Sequence, residues 1–307
     1  MAPDPSLAPP QRLARALAKP PRDPAATAWL ADLPRLLRRQ LDHWRLTLER
    51  VVTPGGRSSL VALVRQADGE PAALKLPAPL PATAQEPAAL AHWDGLGAAR
   101  LLRAETATSG TALLLERLRP EVSLRSLPEP KAELEAVSTV RRLWVPPAPD
   151  HPFATVAERT RHAATWLRSV APEEVLPLVD EALETREALL ADATEELLLH
   201  GDFRQGSVLA ADTGRARWLT VGPEPVVGER AYDLARLVRD RLHDLFASGG
   251  AAAVARRRVT RLADALEVDP DRLRGWARYR AVESGVRHLA AGDRTDGELL
   301  LEFAGWL

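Results

Sequence analysis

Residues 198–241 read LLHGDFRQGSVLAADTGRARWLTVGPEPVVGERAYDLARLVRDR. Two short apolar runs, 207–211 and 216–221, flank the turn Asp212-Thr213-Gly214 and predict a β-hairpin. A His-Gly-Asp turn precedes the hairpin and a Gly-Pro-Glu-Pro segment follows it. An aspartate in such a turn, five residues ahead of a metal-binding side chain, is the layout of a phosphoryl-transfer loop. The aspartate accepts a hydroxyl proton and the later residue holds Mg²⁺. Asp202 occupies the first position and Ser207 the second. A serine hydroxyl is short and neutral, a poor ligand for an ion that favours carboxylate and phosphate oxygens.

Upstream of this loop, apolar runs at 44–49, 60–65, 71–76, 99–104 and 111–117 predict strands. Asp68-Gly69 between the second and third is a strong hairpin signal, and a Thr/Ser/Gly turn joins the last two. Trp29, Leu30, Leu33, Leu36, Leu37 and Leu41 recur at helical spacing and predict a helix over 26–43; a second is predicted from Glu86 to Leu96. Residues 1–24 carry Pro3, Pro5, Pro9, Pro10, Pro20, Pro21 and Pro24 and read as a flexible tail. Downstream, helices are predicted at 129–144, 154–170, 172–191, 230–247, 251–266 and 270–291, the last started by Asp269-Pro270. Strands around one helix, followed by mostly helical sequence, predict an α+β, two-lobed protein. Its parts are a tail (1–24), a small β-rich N-lobe (25–117) and a larger α-helical C-lobe (118–307).

Composition narrows the function. A net charge of −1 gives no support for nucleic acid or an anionic membrane as the main partner. The absence of cysteine excludes disulfides, thiolate nucleophiles and zinc–thiolate sites. No apolar run reaches the ~18 residues of a membrane helix and the N-terminus has no signal-peptide core, so a cytoplasmic protein is expected. Arg256-Arg257-Arg258 reads as the solvated face of a helix.

Several residues stand out chemically. Lys75 lies in the apolar strand Ala72–Leu76, where an ammonium needs a partner, and Glu86 is the matching carboxylate eleven residues on. Gly55, Gly56 and Ser58 form a glycine-containing loop ahead of a strand, of the kind that lets backbone N–H groups approach phosphates. Leu113–Leu118, with Glu116 within it, runs from a strand into a connecting segment. Asp202 is the candidate base, and Arg204 two residues on is placed to neutralise phosphoryl charge. His200 reads as a structural residue of the loop and Asp233 as the anchor of a helix start.

The phrases Ala91-His92-Trp93-Asp94-Gly95, Leu113–Leu118, His200-Gly201-Asp202, Pro225-Val226-Val227-Gly228 and Leu273-Arg274-Gly275-Trp276-Ala277 occur in the order seen in one known family. Over roughly residues 26–293 the chain resembles the aminoglycoside phosphotransferase superfamily, in particular its streptomycin 6-phosphotransferase and hydroxyurea phosphotransferase-like branch. The resemblance implies a protein-kinase-like fold with the nucleotide cleft between the lobes. It further implies ATP held by Lys75, Glu86, the loop of Gly55, Gly56 and Ser58, and the hinge at Glu116. Asp202 and Arg204 take the catalytic role. Two positions depart from the family. Ser207 stands where the family has Asn, and Val221-Gly222-Pro223-Glu224-Pro225 replaces an I-D-P-K-P run, so Gly222 stands where a metal-binding Asp is expected.

With both ligands changed, Mg²⁺ binding is doubtful and the chain reads as a pseudokinase. In that reading it is a binding or scaffold subunit in secondary metabolism or peptide modification, with a protein partner. Two other readings are an active ATP-dependent O-phosphotransferase with an altered metal site, and a sequestering or sensor protein for small molecules. The acceptor of the active form would be a small molecule or a peptide Ser/Thr. Glu224 could supply a replacement carboxylate, because residues two apart in an extended segment face one side. Glu229, Asp233 and Asp240 are the candidates for recognising a cationic acceptor.

Overall fold

The structure is a computed structural model and describes residues 7–19, 22–107, 110–212 and 214–307. Thr108, Ser109 and Thr213 of the predicted turns, and Pro3, Pro5, Pro20 and Pro21 of the proline-rich segment, lie outside them. The chain runs α1 (Gln11–Leu17), α2 (Pro24–Trp44), β1 (Thr47–Val51), β2 (Ser59–Arg65), β3 (Pro71–Pro77), α3 (Glu86–Trp93), β4 (Leu101–Ala107), β5 (Gly110–Glu116) and β6 (Leu118–Ser123). It continues with α4 (Glu129–Arg141), α5 (Val156–Val170), α6 (Leu176–Ala191), β7 (Leu197–Leu199), β8 (Val208–Ala211), β9 (Trp218–Thr220), β10 (Val226–Gly228) and α7 (Arg230–Val238). The last elements are α8 (Leu242–Phe246), α9 (Ala251–Leu266), α10 (Pro270–Ala290) and α11 (Arg294–Gly305). The class is α+β. Two compact units are formed: residues 1–123 with 209–224, and residues 124–208 with 225–307.

The first unit is built on an antiparallel sheet in the order β1-β2-β3-β5-β4. Period-2 alternation turns Leu60, Ala62, Val64, Leu74 and Leu76 to one face, where they join Trp29, Leu33, Leu36, Leu37 and Leu41 of α2 in a single core. Asp23 caps α2 by accepting from Ala25 N–H (2.8 Å) and Ala26 N–H (3.2 Å), with Pro24 at the first helical position. The stretch expected to be a flexible tail is partly built in. Leu7 and Leu13 are buried in the same core, because α1 gives Leu13 an apolar face to present. Arg12 also reaches the Gly55 carbonyl (3.4 Å). The helix expected to reach residue 96 stops at Trp93, where Asp94 turns left-handed (φ 40°). β6, absent from the sequence reading, pairs with β8 (Leu118 opposite Ala211) and makes a three-stranded sheet with β9.

The second unit is helical around α10, which buries Trp276, Tyr279, Ala281 and Val282. Trp276 meets Tyr232 and Tyr279 edge-on, at centroid separations of 5.1 and 5.7 Å. The helix expected over 230–247 is two helices. Arg241 is left-handed (φ 55°) between α7 and α8, and its guanidinium turns back to Gln205 Oε1 (2.7 Å) and the Leu127 carbonyl (2.8 Å). α11 was not anticipated; it buries Leu300, Phe303 and Ala304. A two-stranded ladder of β7 and β10 aligns Leu199 with Val226 and delivers the chain to the His200 turn. Among the described residues, no helix is long and apolar enough to cross a membrane.

Candidate active site

In the first unit, β3 is hydrogen-bonded on both sides, and Lys75 lies opposite Val61 of β2 and Leu113 of β5. An ammonium here is 7 % exposed and must be neutralised. Glu86, the first residue of α3 and 1 % exposed, does so with both carboxylate oxygens 2.6 Å from Nζ. Gly222 belongs to the same unit. It adopts φ +67°, and a Cβ there would lie 3.8 Å from Lys75 Nζ. An aspartate at that position would therefore stand beside the lysine; glycine leaves the ammonium with Glu86.

The remaining predicted nucleotide contacts are engaged in the fold. Glu116 accepts from the Arg100 N–H (2.5 Å) and is paired with Arg215, whose Nη1 lies 2.8 Å from Oε2. Its carboxylate thus ties β5 to the β8–β9 hairpin. The Ser58 carbonyl accepts from Ala78 N–H (2.8 Å). Gly56 sits next to the Ser59 carbonyl, and Gly55 is touched by Pro10 and Arg12.

In the second unit, the His200-Gly201-Asp202 turn hangs from Asp233. The buried Asp233 carboxylate accepts from His200 N–H (3.1 Å), Gly201 N–H (2.9 Å) and Trp144 Nε1–H (3.2 Å). Asp233 does more than anchor a helix start: it holds the catalytic-type turn. His200 Nδ1 accepts from Asp202 N–H (3.2 Å), a structural use of the imidazole. Ser207 is buried, and its hydroxyl donates to the Arg204 carbonyl (2.8 Å) while accepting from the Arg204 N–H (3.2 Å).

Asp202 is surrounded by cations. Oδ1 accepts from Arg236 Nε (2.8 Å) and Oδ2 from Arg204 Nε (3.0 Å), with the carboxylate 22 % exposed. Gly206 makes the second contact possible, since a Cβ there would lie 2.8 Å from Arg204 Nη1. Behind them, the buried Arg280 donates to the Gly201 carbonyl (2.8 Å) and stacks on Tyr232 (4.6 Å). The buried Arg239 donates to the Arg280 carbonyl (3.0 Å) and Ser284 Oγ (2.7 Å). Burial works to raise the Asp202 carboxyl, but the charges of Arg236, Arg204 and Arg280 outweigh it and hold the group well below the usual carboxylate range. Arg236 is the residue that sequence reasoning missed; α7 spacing from Asp233 to Arg236, one turn apart, was the available signal.

Lys75 with Glu86 fits the phosphates of a nucleotide. Mg²⁺ is not fitted in the same way: Gly222 has no side chain, and the short, neutral Ser207 hydroxyl is buried and held against the Arg204 backbone. Glu224 is half-buried in the coil between β9 and β10. The acidic candidates for a cationic acceptor are also committed. Glu229 binds Arg272 (2.5 Å) and Trp276 Nε1–H (2.6 Å), Asp233 holds the turn, and Asp240 accepts from the Gln205 N–H.

Known proteins resemble this chain in sequence and in fold. The family model for aminoglycoside/hydroxyurea antibiotic resistance kinases matches residues 43–292. The streptomycin 6-kinase of Streptomyces glaucescens is 33% identical over 273 residues, 86% of each chain. The hydroxyurea phosphotransferase of Kitasatospora aureofaciens is 32% identical over 282 residues, 88% of this chain and 77% of that protein. Among solved structures, an amicoumacin kinase in complex with AMP-PNP and Ca²⁺ shares the fold at a TM-score of 0.63 and 12% identity, covering 89% of this chain and 92% of that one. The fold is therefore protein-kinase-like, of the aminoglycoside phosphotransferase type. Turn, strand lysine and helix glutamate all stand on that scaffold, and the chain belongs to the aminoglycoside/hydroxyurea antibiotic resistance kinase family.

Proposed function

We propose that this kinase-family protein binds a nucleotide through Lys75 and Glu86 but is impaired in, or has lost, phosphoryl transfer. It acts as a binding subunit for a small-molecule or peptide ligand, alone or beside a protein partner. The observation that carries this reading is the engagement of both Asp202 oxygens by Arg204 and Arg236. A carboxylate so neutralised is a poor acceptor for a hydroxyl proton. The Gly222 and Ser207 replacements remove charge-neutralising ligands on which phosphoryl transfer depends. Losing one preorganised electrostatic partner costs ~10²–10³ in rate, and such losses are not additive.

Calorimetric titration of ATP, first with Mg²⁺ and then with EDTA, tests the reading. Binding that does not depend on Mg²⁺, without ADP release in the presence of streptomycin or a serine peptide, is the expected result. Mg²⁺-dependent binding followed by transfer would overturn it in favour of a second reading: an active O-phosphotransferase with an altered metal site. The relatives favour that second reading, since those at 33% and 32% identity are named as a kinase and a phosphotransferase. Glu224, two residues from Gly222, would then supply the missing carboxylate, and a Glu224→Ala variant would lose the activity.

A further inference from the structure

We propose that the catalytic-type loop of the second unit is an oxyanion site that binds a phosphate-bearing small molecule directly through arginine, without a divalent cation. The proposal rests on the reading above and names the chemistry of the ligand. Two independent observations carry it.

The first is donor geometry. A guanidinium has five N–H donors, and Arg236 spends only Nε, on Asp202 Oδ1. Its two terminal nitrogens have no hydrogen-bond partner among the described residues, and the side chain is 30 % exposed. The Nη1/Nη2 edge is thus a two-donor fork, the shape that matches two oxygens of a phosphate. Asp202 holds that fork in place from behind. Around it guanidinium groups crowd together. Arg204, Arg236, Arg239 and Arg280 face the carboxylates of Asp202, Asp233 and Glu283, and Glu283 is itself paired with Arg287 (3.0 Å). Arg239 and Arg280 are buried, and the Nε of each has no hydrogen-bond partner. Buried and half-buried guanidinium groups set this close together favour an incoming anion.

The second observation is the fate of the acidic groups. A polycationic acceptor needs free carboxylates, yet Glu229, Asp233 and Asp240 are held by Arg272, by the His200–Gly201 backbone and by the Gln205 backbone respectively. These three carboxylates are therefore not left to meet a cationic ligand.

The test is titration calorimetry of the full chain in EDTA with inorganic phosphate, with glycerol 2-phosphate and with streptomycin. Binding of phosphate or of the monoester is expected, on the order of tenfold weaker or more in Arg236→Ala. Arg236→Lys, which keeps the charge and loses the fork, should fall between. Asp23→Ala, at the α2 N-cap, should leave phosphate binding unchanged. Tighter binding of the monoester would identify a phosphorylated organic ligand, and equal binding free phosphate. Arg204→Ala serves as a second variant, and thermal unfolding of each confirms that it is folded. Streptomycin binding without phosphate binding would overturn the proposal, as would phosphate affinity unmoved by both arginine variants. Failure of ATP to bind, with phosphate binding retained, would instead sink the nucleotide reading and leave the oxyanion site standing.

Discussion

The two charged centres of this molecule solve the same problem in opposite ways. Lys75 and Glu86 bury one cation against one anion, with both oxygens at 2.6 Å and nothing left over. Asp202 is one anion among four guanidinium groups, two of them hydrogen-bonded to it. The first arrangement is the one a kinase-type nucleotide site requires. The second leaves both oxygens of the carboxylate bound to guanidinium groups. The contrast shows that one buried pair can balance its charge one to one while a carboxylate on another loop draws several cations around it.

The largest effect expected from breaking the contrast is at the balanced pair. Glu86→Ala strands a buried ammonium and should cost roughly 3–5 kcal/mol in denaturant unfolding, while a Lys75→Met, Glu86→Leu double variant should recover most of the loss. Next is Asp202→Ala. It removes a carboxylate hydrogen-bonded to both Arg204 and Arg236 and should cost about 2 kcal/mol, the partial exposure of the site lowering the figure for a buried pair. If Asp202 were only a proton acceptor, stability would not move.

The pH dependence has a defined sign. The folded Asp202 carboxyl lies below its unfolded value of ~3.9, so its contribution is fully present above that pH and is lost as pH falls through the folded value. In Asp202→Asn the part of the acid-induced loss of stability that begins below about pH 4 should be smaller than in the parent, as followed by unfolding midpoints.

A smaller effect sharpens the comparison from the other side. A Ser207→Asn, Gly222→Asp double variant restores the ligand types that the family resemblance implies. It should strengthen ATP binding about tenfold on adding Mg²⁺, since metal neutralises phosphate charge, whereas the parent should show no such gain. The left-handed backbone at Gly222 works against the aspartate by about 1 kcal/mol, which limits the effect. The smallest change lies away from both centres: Asp23→Ala removes the α2 cap and should cost ~1 kcal/mol in thermal unfolding without altering ligand binding.

Much of this was legible in the chain. The Asp68-Gly69 hairpin, the α2 stripe from Trp29 to Leu41 and the Asp269-Pro270 start of α10 are local signals, and each element formed where its residues pointed. The Lys75–Glu86 pair was legible for a different reason: a lysine in an apolar strand needs a partner, and the kinase-type pattern pairs such a lysine with a helix glutamate. The elements that were missed depend on distant partners. β6, β7 and β10 are short strands that exist only through their ladders, and α1 is stable because Leu13 enters a core built mainly by α2 and the sheet. The break at Arg241 comes from contacts with Gln205 and Leu127, which no helical periodicity records.

The sequence by itself determined the class and the order of the main elements, because these follow from residue type and local periodicity, while the lysine, the glutamate and the departures at Ser207 and Gly222 were marked by the family resemblance. Only the tertiary structure decided what Asp202 does. Its partner Arg236 is 34 residues away on α7, Arg280 is on α10, and the acids that might have welcomed a cation are bound elsewhere. Charge compensation acts through space over a few ångströms, and proximity in space is what the order of residues does not encode.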